Sequence, residues 1–279
     1  MSFTVTPLSP IGAEVVTTAD HLLHDPAAPE RLLAALDRYS VLLFRGLHLD
    51  DETQLAIGKR LGTIVVKQTP GWSKDFPGIY RVALDPDANG ELYVKGSWDW
   101  HIDGSTANGI PPRATMLACH SATAPGEGGE TELVSTYLPY ERLTDEEKER
   151  FADLKVWHRV EPSRYSHEMN LTESDLERLA REPSQLHPLV WTHENGRRSL
   201  VIGITAQSIE GLPEDEGAAI LQDLLDRATT PDLVLQHVWT KGDVVMWDNT
   251  GTMHRGRPYT SESGRDMHRF TLVGHEPIR

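Results

Sequence analysis

The segment WDWHIDGS, residues 98–105, places His101 and Asp103 two positions apart. On an extended strand such residues point to the same side, so an imidazole and a carboxylate converge on one point. A third ligand from elsewhere in the chain completes a 2-His-1-carboxylate set, which leaves coordination positions open on a non-heme iron(II) ion. His254 is the best third member, because it follows the apolar run GDVVMWDN and precedes an arginine-rich stretch. Zinc accepts the same ligand types. A His-x-Asp pair also occurs in surface turns, and with 13 histidines in the chain the spacing alone does not separate these readings.

A second pair narrows them. Arg265 and Arg269 lie four residues apart in RDMHRFTLVG. On a strand this even spacing puts both on one face, with Met267 between them. Two guanidinium groups aimed inward must meet anions, because an unpaired buried charge is costly. Their planar forks suit carboxylates. The competing reading is a pair of exposed arginines on an acidic surface.

Holding these residues in place requires a scaffold, and its elements are visible. IGAEVV predicts a short strand, residues 27–39 an amphipathic helix and VLLFRGLHL a buried strand. Asp50 or Asp51 caps a helix over ETQLAIGKRLG. Residues 67–97 are rich in Pro, Gly and Asp and predict long loops with short strands, the kind of segment that carries function. RATMLACHSAT and TELVST read as strands flanking a PGEGGE turn. Thr144 and Glu147 form a capping box opening DEEKERFADL, and Thr172 with Asp175 marks a further helix start. HPLVWTHENGRRSLVIG predicts a hairpin turning at Asn195-Gly196, and a helix follows near 213–228 with Pro213 at its first turn. Two late strands, GDVVMWDN and HRFTLVG, bracket a polar loop. The pattern is neither a βαβ alternation nor a helical bundle. It predicts a mainly β fold, a barrel or jelly-roll core with helical decoration.

Composition excludes other classes. The 279 residues carry 27 − 42 = −15 formal charges, which repels a phosphate backbone, so no nucleic-acid partner is expected. There is no apolar run of about twenty residues, the length a membrane-spanning helix needs, and MSFTVTPLSPIGAEVV lacks the basic and apolar regions of a signal peptide. The single cysteine, Cys119, sits in the apolar run ATMLACH, which predicts a buried core thiol and a reducing compartment, the cytoplasm. A homo-oligomer stays open.

Four stretches, WHIDGS, PGEGGETELVST, HPLVWTHENGRRSLVIG and GDVVMWDNTGTMHRGRPY with RDMHRFTLVG, occur in an order that resembles the taurine/2,4-dichlorophenoxyacetate dioxygenase family of Fe(II)/2-oxoglutarate oxygenases. VLLFRG and LGTIV extend the resemblance over most of the chain. It implies a double-stranded β-helix, a cupin-like jelly roll, in a single domain over 1–279 with a helical and loop insertion around 136–230. It places His101, Asp103 and His254 as the metal ligands, and Thr131 and Arg265 on the distal carboxylate of 2-oxoglutarate. Arg269 falls near the metal, on the substrate anion and the near carboxylate of 2-oxoglutarate. Trp247 falls on an aromatic wall of the pocket, or is a plain core tryptophan.

Residues 67–97 do not match the family pattern, so Lys67, Gln68, Lys95 and Ser97 are candidate substrate contacts or solvated loop residues. Tyr93 and Trp98 either cover an apolar substrate or pack in the core. The implied cofactors are Fe(II), 2-oxoglutarate and O2. The implied reaction couples decarboxylation of 2-oxoglutarate to succinate and CO2 with oxidation of a small organic acid, a carboxylate or sulfonate. Hydroxylation is the default; desaturation, cyclisation or C–N/C–O cleavage would use the same residues. Related halogenases replace the carboxylate that Asp103 retains, so halogenation is not expected. The rival classes are a non-catalytic metal or small-acid binding protein, which loss of a ligand or of the cofactor arginine would favour, and a zinc hydrolase, which does not explain Arg265 together with Thr131.

Overall fold

Runs of Val, Leu, Met and Ile become the strands of the structure, a computed structural model that describes residues 4–69, 71–85, 94–106, 110–165, 171–181 and 184–279. The first strands are β1 (Thr4–Pro7), β2 (Ala13–Val16), β3 (Val41–Phe44), β4 (Tyr80–Val82), β5 (Ala114–Ser121) and β6 (Thr131–Ser135). Next come β7 (Lys155–His158), β8 (Gln185–Pro188), β9 (Val190–Thr192), β10 (Arg198–Leu200) and β11 (Ala206–Ile209). The last are β12 (Leu235–His237), β13 (Val244–Asp248), β14 (Thr252–Gly256) and β15 (Asp266–Thr271). The chain is a mixed helix and strand structure built on strand-rich sheets. A seven-stranded sheet runs β1-β2-β3-β13-β5-β15-β4, and a three-stranded one runs β12-β6-β14. Two smaller sheets, β11-β7-β8 and β10-β9, come from the middle of the chain.

The two-residue period of the central strands sorts their side chains onto two faces. Met116, Ala118, Met246 and Phe270 pack with Leu32 and Leu36 of helix Ala28–Tyr39 and with Leu55 and Ile57 of helix Asp51–Leu61. Leu117, Cys119, Val245, Trp247 and Met267 pack on the other side, with Leu133 of β6 and Trp239. The seven-stranded sheet is thus covered by helices on one face and by the three-stranded sheet on the other. Phe270 and Met246 are fully buried, and each such side chain contributes about 1.5–3 kcal/mol. A third cluster, with Trp191, Leu200, Ile202, Leu221 and Leu224, joins the middle strands to helix Glu214–Ala228.

The local signals correspond to observed caps and turns. Asp50 accepts a hydrogen bond from the Thr53 N–H, and the Thr144–Glu147 capping box is closed in both directions. Asn195-Gly196 turns the β9–β10 hairpin, with Gly196 at φ +82°. Two local expectations are corrected. WDWHIDGS is not a strand: His101 makes one isolated bridge and residues 103–106 turn, because Gly104 adopts φ +86° and a Cβ there would meet Pro112 Cδ at 2.4 Å. Conversely, the polar stretch after GDVVMWDN contains β14. Alternation was hidden there because Met253, His254 and Arg255 differ in polarity but all pair with β6.

Candidate active site

Backbone pairing brings the first two imidazoles together. The His101 N–H donates to the His254 carbonyl at 3.1 Å, and the His254 N–H donates back at 3.0 Å. Their ring centroids lie 4.2 Å apart. The turn at Gly104 then returns Asp103 toward them, with Oδ1 at 3.8 Å from His101 Nε2. Ligand atoms of all three residues lie within 4.8 Å of one another. Strand spacing does not create this convergence; a bridge and a turn do.

The protonation states suit a cation. His101 Nδ1 sits 2.8 Å from the Asp99 carbonyl. A carbonyl only accepts, so Nδ1 donates and Nε2 is the nitrogen available as a metal ligand. Burial holds the His254 imidazole neutral, pushing it down to about 3. For Asp103, burial favours the neutral acid, but Arg269, the two histidines and a Thr115 hydrogen bond outweigh it and lower the carboxyl to about 2. Arg269 Nη1 approaches Asp103 Oδ2 at 3.4 Å and Thr115 Oγ1 does so at 3.3 Å. His254 Nδ1 is buried with no hydrogen-bond partner. The Trp247 ring packs at 4.6 Å from that of His254.

A cavity of about 500 Å³ opens beside this group. Arg265 enters it almost fully buried, at 6 % exposure. Its Nε donates to the Gly129 carbonyl at 3.0 Å, and its guanidinium lies 4.8 Å from the Tyr259 ring centre. No carboxylate forms an ion pair with it among the described residues, although burial disfavours its charge. A guanidinium in this state has donors that suit an anion. Gly129, at φ +82°, makes room for it, since a Cβ there would meet Arg265 Cδ at 2.9 Å. Thr131 lines the same cavity, and its hydroxyl accepts from Trp239 Nε1 at 3.0 Å, which leaves the hydroxyl proton to be donated inward.

Among the loop candidates, Lys67 and Ser97 line the cavity, while Gln68 and Lys95 do not. The Ser97 hydroxyl already donates to the Val94 carbonyl at 2.6 Å. Trp98 lines the wall and packs edge-on against Tyr259, and Tyr93 lies outside the described residues. The lining also includes residues the sequence did not single out: Tyr80 of β4, Val82, Val160, Leu179 and Thr205. Leu179 belongs to helix Glu173–Arg181, where an apolar position looks like ordinary helix packing until the helix is seen to face a cavity.

Comparisons with known proteins give this geometry a context. The family model "Taurine catabolism dioxygenase TauD, TfdA family" matches residues 4–271. A 2,4-dichlorophenoxyacetate dioxygenase dependent on alpha-ketoglutarate, from Burkholderia sp. (strain RASC), is 34% identical over 263 residues, covering 89% of this chain and 86% of the relative. A protein of the same description from Cupriavidus pinatubonensis is 32% identical and covers 98% of each chain. Among solved structures, AAD-2 in complex with Mn(II) and N-oxalylglycine superposes with a TM-score of 0.82 at 30% identity, over 100% of both chains. The chain belongs to the taurine catabolism dioxygenase TauD/TfdA family.

Proposed function

We propose that this Fe(II)- and 2-oxoglutarate-dependent dioxygenase hydroxylates a small organic acid, with His101, Asp103 and His254 holding the metal and Arg265 and Thr131 the far carboxylate of 2-oxoglutarate. One observation carries the reading: a His-Asp-His group and a buried arginine without a carboxylate partner face the same cavity. The donors fit Fe(II). One imidazole has its free nitrogen set by Asp99, the other is neutral, and the carboxyl is ionised. With its cosubstrate and dioxygen, the metal supplies the oxidising power that turns 2-oxoglutarate into succinate and CO2 and oxidises a C–H bond.

The protein's own residues bind, orient and exclude water. Arg265 and Thr131 fix the dicarboxylate at one end, so its oxo-acid end reaches the three ligands. Arg269, held against Asp103 and the Tyr80 ring, presents a positive charge beside the metal for the near carboxylate and the substrate anion. Trp247 and Trp98 wall off water. The substrate reading is a carboxylate or sulfonate with an apolar body, supported by Arg269 and Lys67 set among Tyr80, Val82, Val94 and Leu117. Acids of this type are named in the descriptions of the relatives.

The core is proposed to be a double-stranded β-helix, the seven-stranded sheet facing β12-β6-β14 with the site between them. It belongs to one domain over 1–279, with 136–230 as an insertion. No helix among the described residues is long and apolar enough to cross a membrane. The single buried Cys119, whose thiol burial pushes up to about 11, suits the cytoplasm.

Anaerobic addition of Fe(II) and 2-oxoglutarate tests the reading. A visible metal-to-ligand charge-transfer band is expected with the unsubstituted chain and not with His101→Ala. Absence of the band at saturating ligand would end it. A finer prediction concerns Trp239. Trp239→Phe keeps the ring but removes the donor to Thr131, so the KM for 2-oxoglutarate should rise roughly two- to tenfold, from the ~0.5–1.5 kcal/mol of one hydrogen bond, with kcat little changed. Steady-state kinetics on succinate release checks this, and an unchanged KM removes Thr131 from the binding site.

A further inference from the structure

The face of the seven-stranded sheet turned away from the cavity carries a second group of metal-binding side chains. His268 of β15 lies opposite Ala118 of β5. His120, two residues further along β5, is therefore its diagonal neighbour on the same face. A bulge between Asp266 and Met267 leaves His120 without a partner residue across the ladder. The two rings stack with centroids 3.9 Å apart, close to the 4.2 Å of His101 and His254. Asp51, the first residue of helix Asp51–Leu61, closes the group. Its Oδ1 is 2.6 Å from His268 Nδ1 and 3.9 Å from His120 Nε2. One ligand atom from each of the three lies within 4.8 Å of the others, as in the group facing the cavity.

We propose that Asp51, His120 and His268 form a second metal site, selective for a borderline divalent ion such as zinc, on the outer face of the sheet. Two imidazoles and a carboxylate are a zinc donor set. Two further observations point to a ligand. His120 Nε2 is buried with no hydrogen-bond partner. The outer nitrogen of His268, Nε2, faces Asp266 Oδ1 at 3.5 Å, and Asp266 is itself held by Arg81 at 2.8 Å. A carboxylate behind a ligating imidazole, itself anchored, is the usual support of a metal-bound histidine.

Asp51 and His268 stand 2.6 Å apart, and two donors about 2.0–2.1 Å from one tetrahedral zinc lie roughly 3.3 Å apart, so binding would part this pair to admit the ion. The ion would tie the start of helix Asp51–Leu61 to the β5–β15 pair, which Gln54 already bridges through the carbonyls of Met116 and His268.

The test uses the metal-free full chain and zinc alone, with bound metal counted after equilibrium dialysis. Two equivalents are expected for the unsubstituted chain and one for His120→Ala. His120→Gln, closer to the original shape, should also bind one and, loaded separately with Fe(II) and 2-oxoglutarate, keep the charge-transfer band, so the second site is read independently of the first. His254→Ala should bind one equivalent and gain melting temperature with zinc; the double variant with His120→Ala should do neither. One equivalent in the unsubstituted chain, or two retained in both His120 variants, overturns the proposal and leaves Asp51–His268–Asp266 as a plain ion-pair lock.

Discussion

Arg265→Ala is expected to raise the KM for 2-oxoglutarate by at least about 30-fold, from the ~2–5 kcal/mol that a buried charged contact is worth when one partner is removed. The melting temperature of the cosubstrate-free protein should not fall. Both halves follow from one fact. The guanidinium is almost fully buried, held by a backbone carbonyl and an aromatic ring, and no carboxylate among the described residues forms an ion pair with it. Without a dicarboxylate it carries a desolvation cost that truncation relieves, offsetting the packing lost. A variant that loses affinity and keeps stability is the signature of a residue placed for a ligand. Kinetics on succinate release and thermal melting without ligand check the two halves. An unchanged KM would falsify the assignment, and a sharply lowered melting temperature would make Arg265 structural.

Asp103→Ala should abolish turnover, by roughly a thousandfold or more if about 4 kcal/mol of metal-centred stabilisation is lost. Fe(II) binding should be lost with it. The carboxylate is the sole anionic member of the three, and it also faces Arg269. Removing it leaves two imidazoles beside an unopposed guanidinium, which repels a cation. The unsubstituted carboxyl titrates at about 2, so no loss of metal should trace to Asp103 as pH falls from 8 to 5. Fe(II) affinity measured across that range for both proteins checks the idea. Metal retention by the alanine variant would show that the ion sits elsewhere.

Much of the site was legible because its residues are chemically conspicuous. His101, Asp103, His254, Arg265 and Arg269 are polar groups in apolar or turn-rich surroundings, and all five line the same cavity. The reason they converge was not legible. Two-residue strand spacing joined His101 and Asp103 by the wrong geometry, since a single bridge to His254 and the turn at Gly104 bring Asp103 back. The caps of helices Asp51–Leu61 and Asp145–Phe151 were readable because an N-cap is decided within four residues. Short strands such as β4 and β12 were not, since three residues carry too little periodicity to stand out. Tyr80, Val160 and Leu179 escaped notice for a related reason: an apolar side chain facing a cavity has the same local pattern as one facing the core.

The alternation along β15 has a consequence for how the gene can vary. Arg265, Met267 and Arg269 serve one face, while Asp266, His268 and Phe270 serve the other. Inserting or deleting one codon within 266–270 would exchange the two sets. It would turn a carboxylate toward the anion-binding wall and an arginine into the helix-covered core. Natural length changes in this region should therefore fall before Arg265, in the 257–264 connection, where added residues leave the phase of the strand untouched.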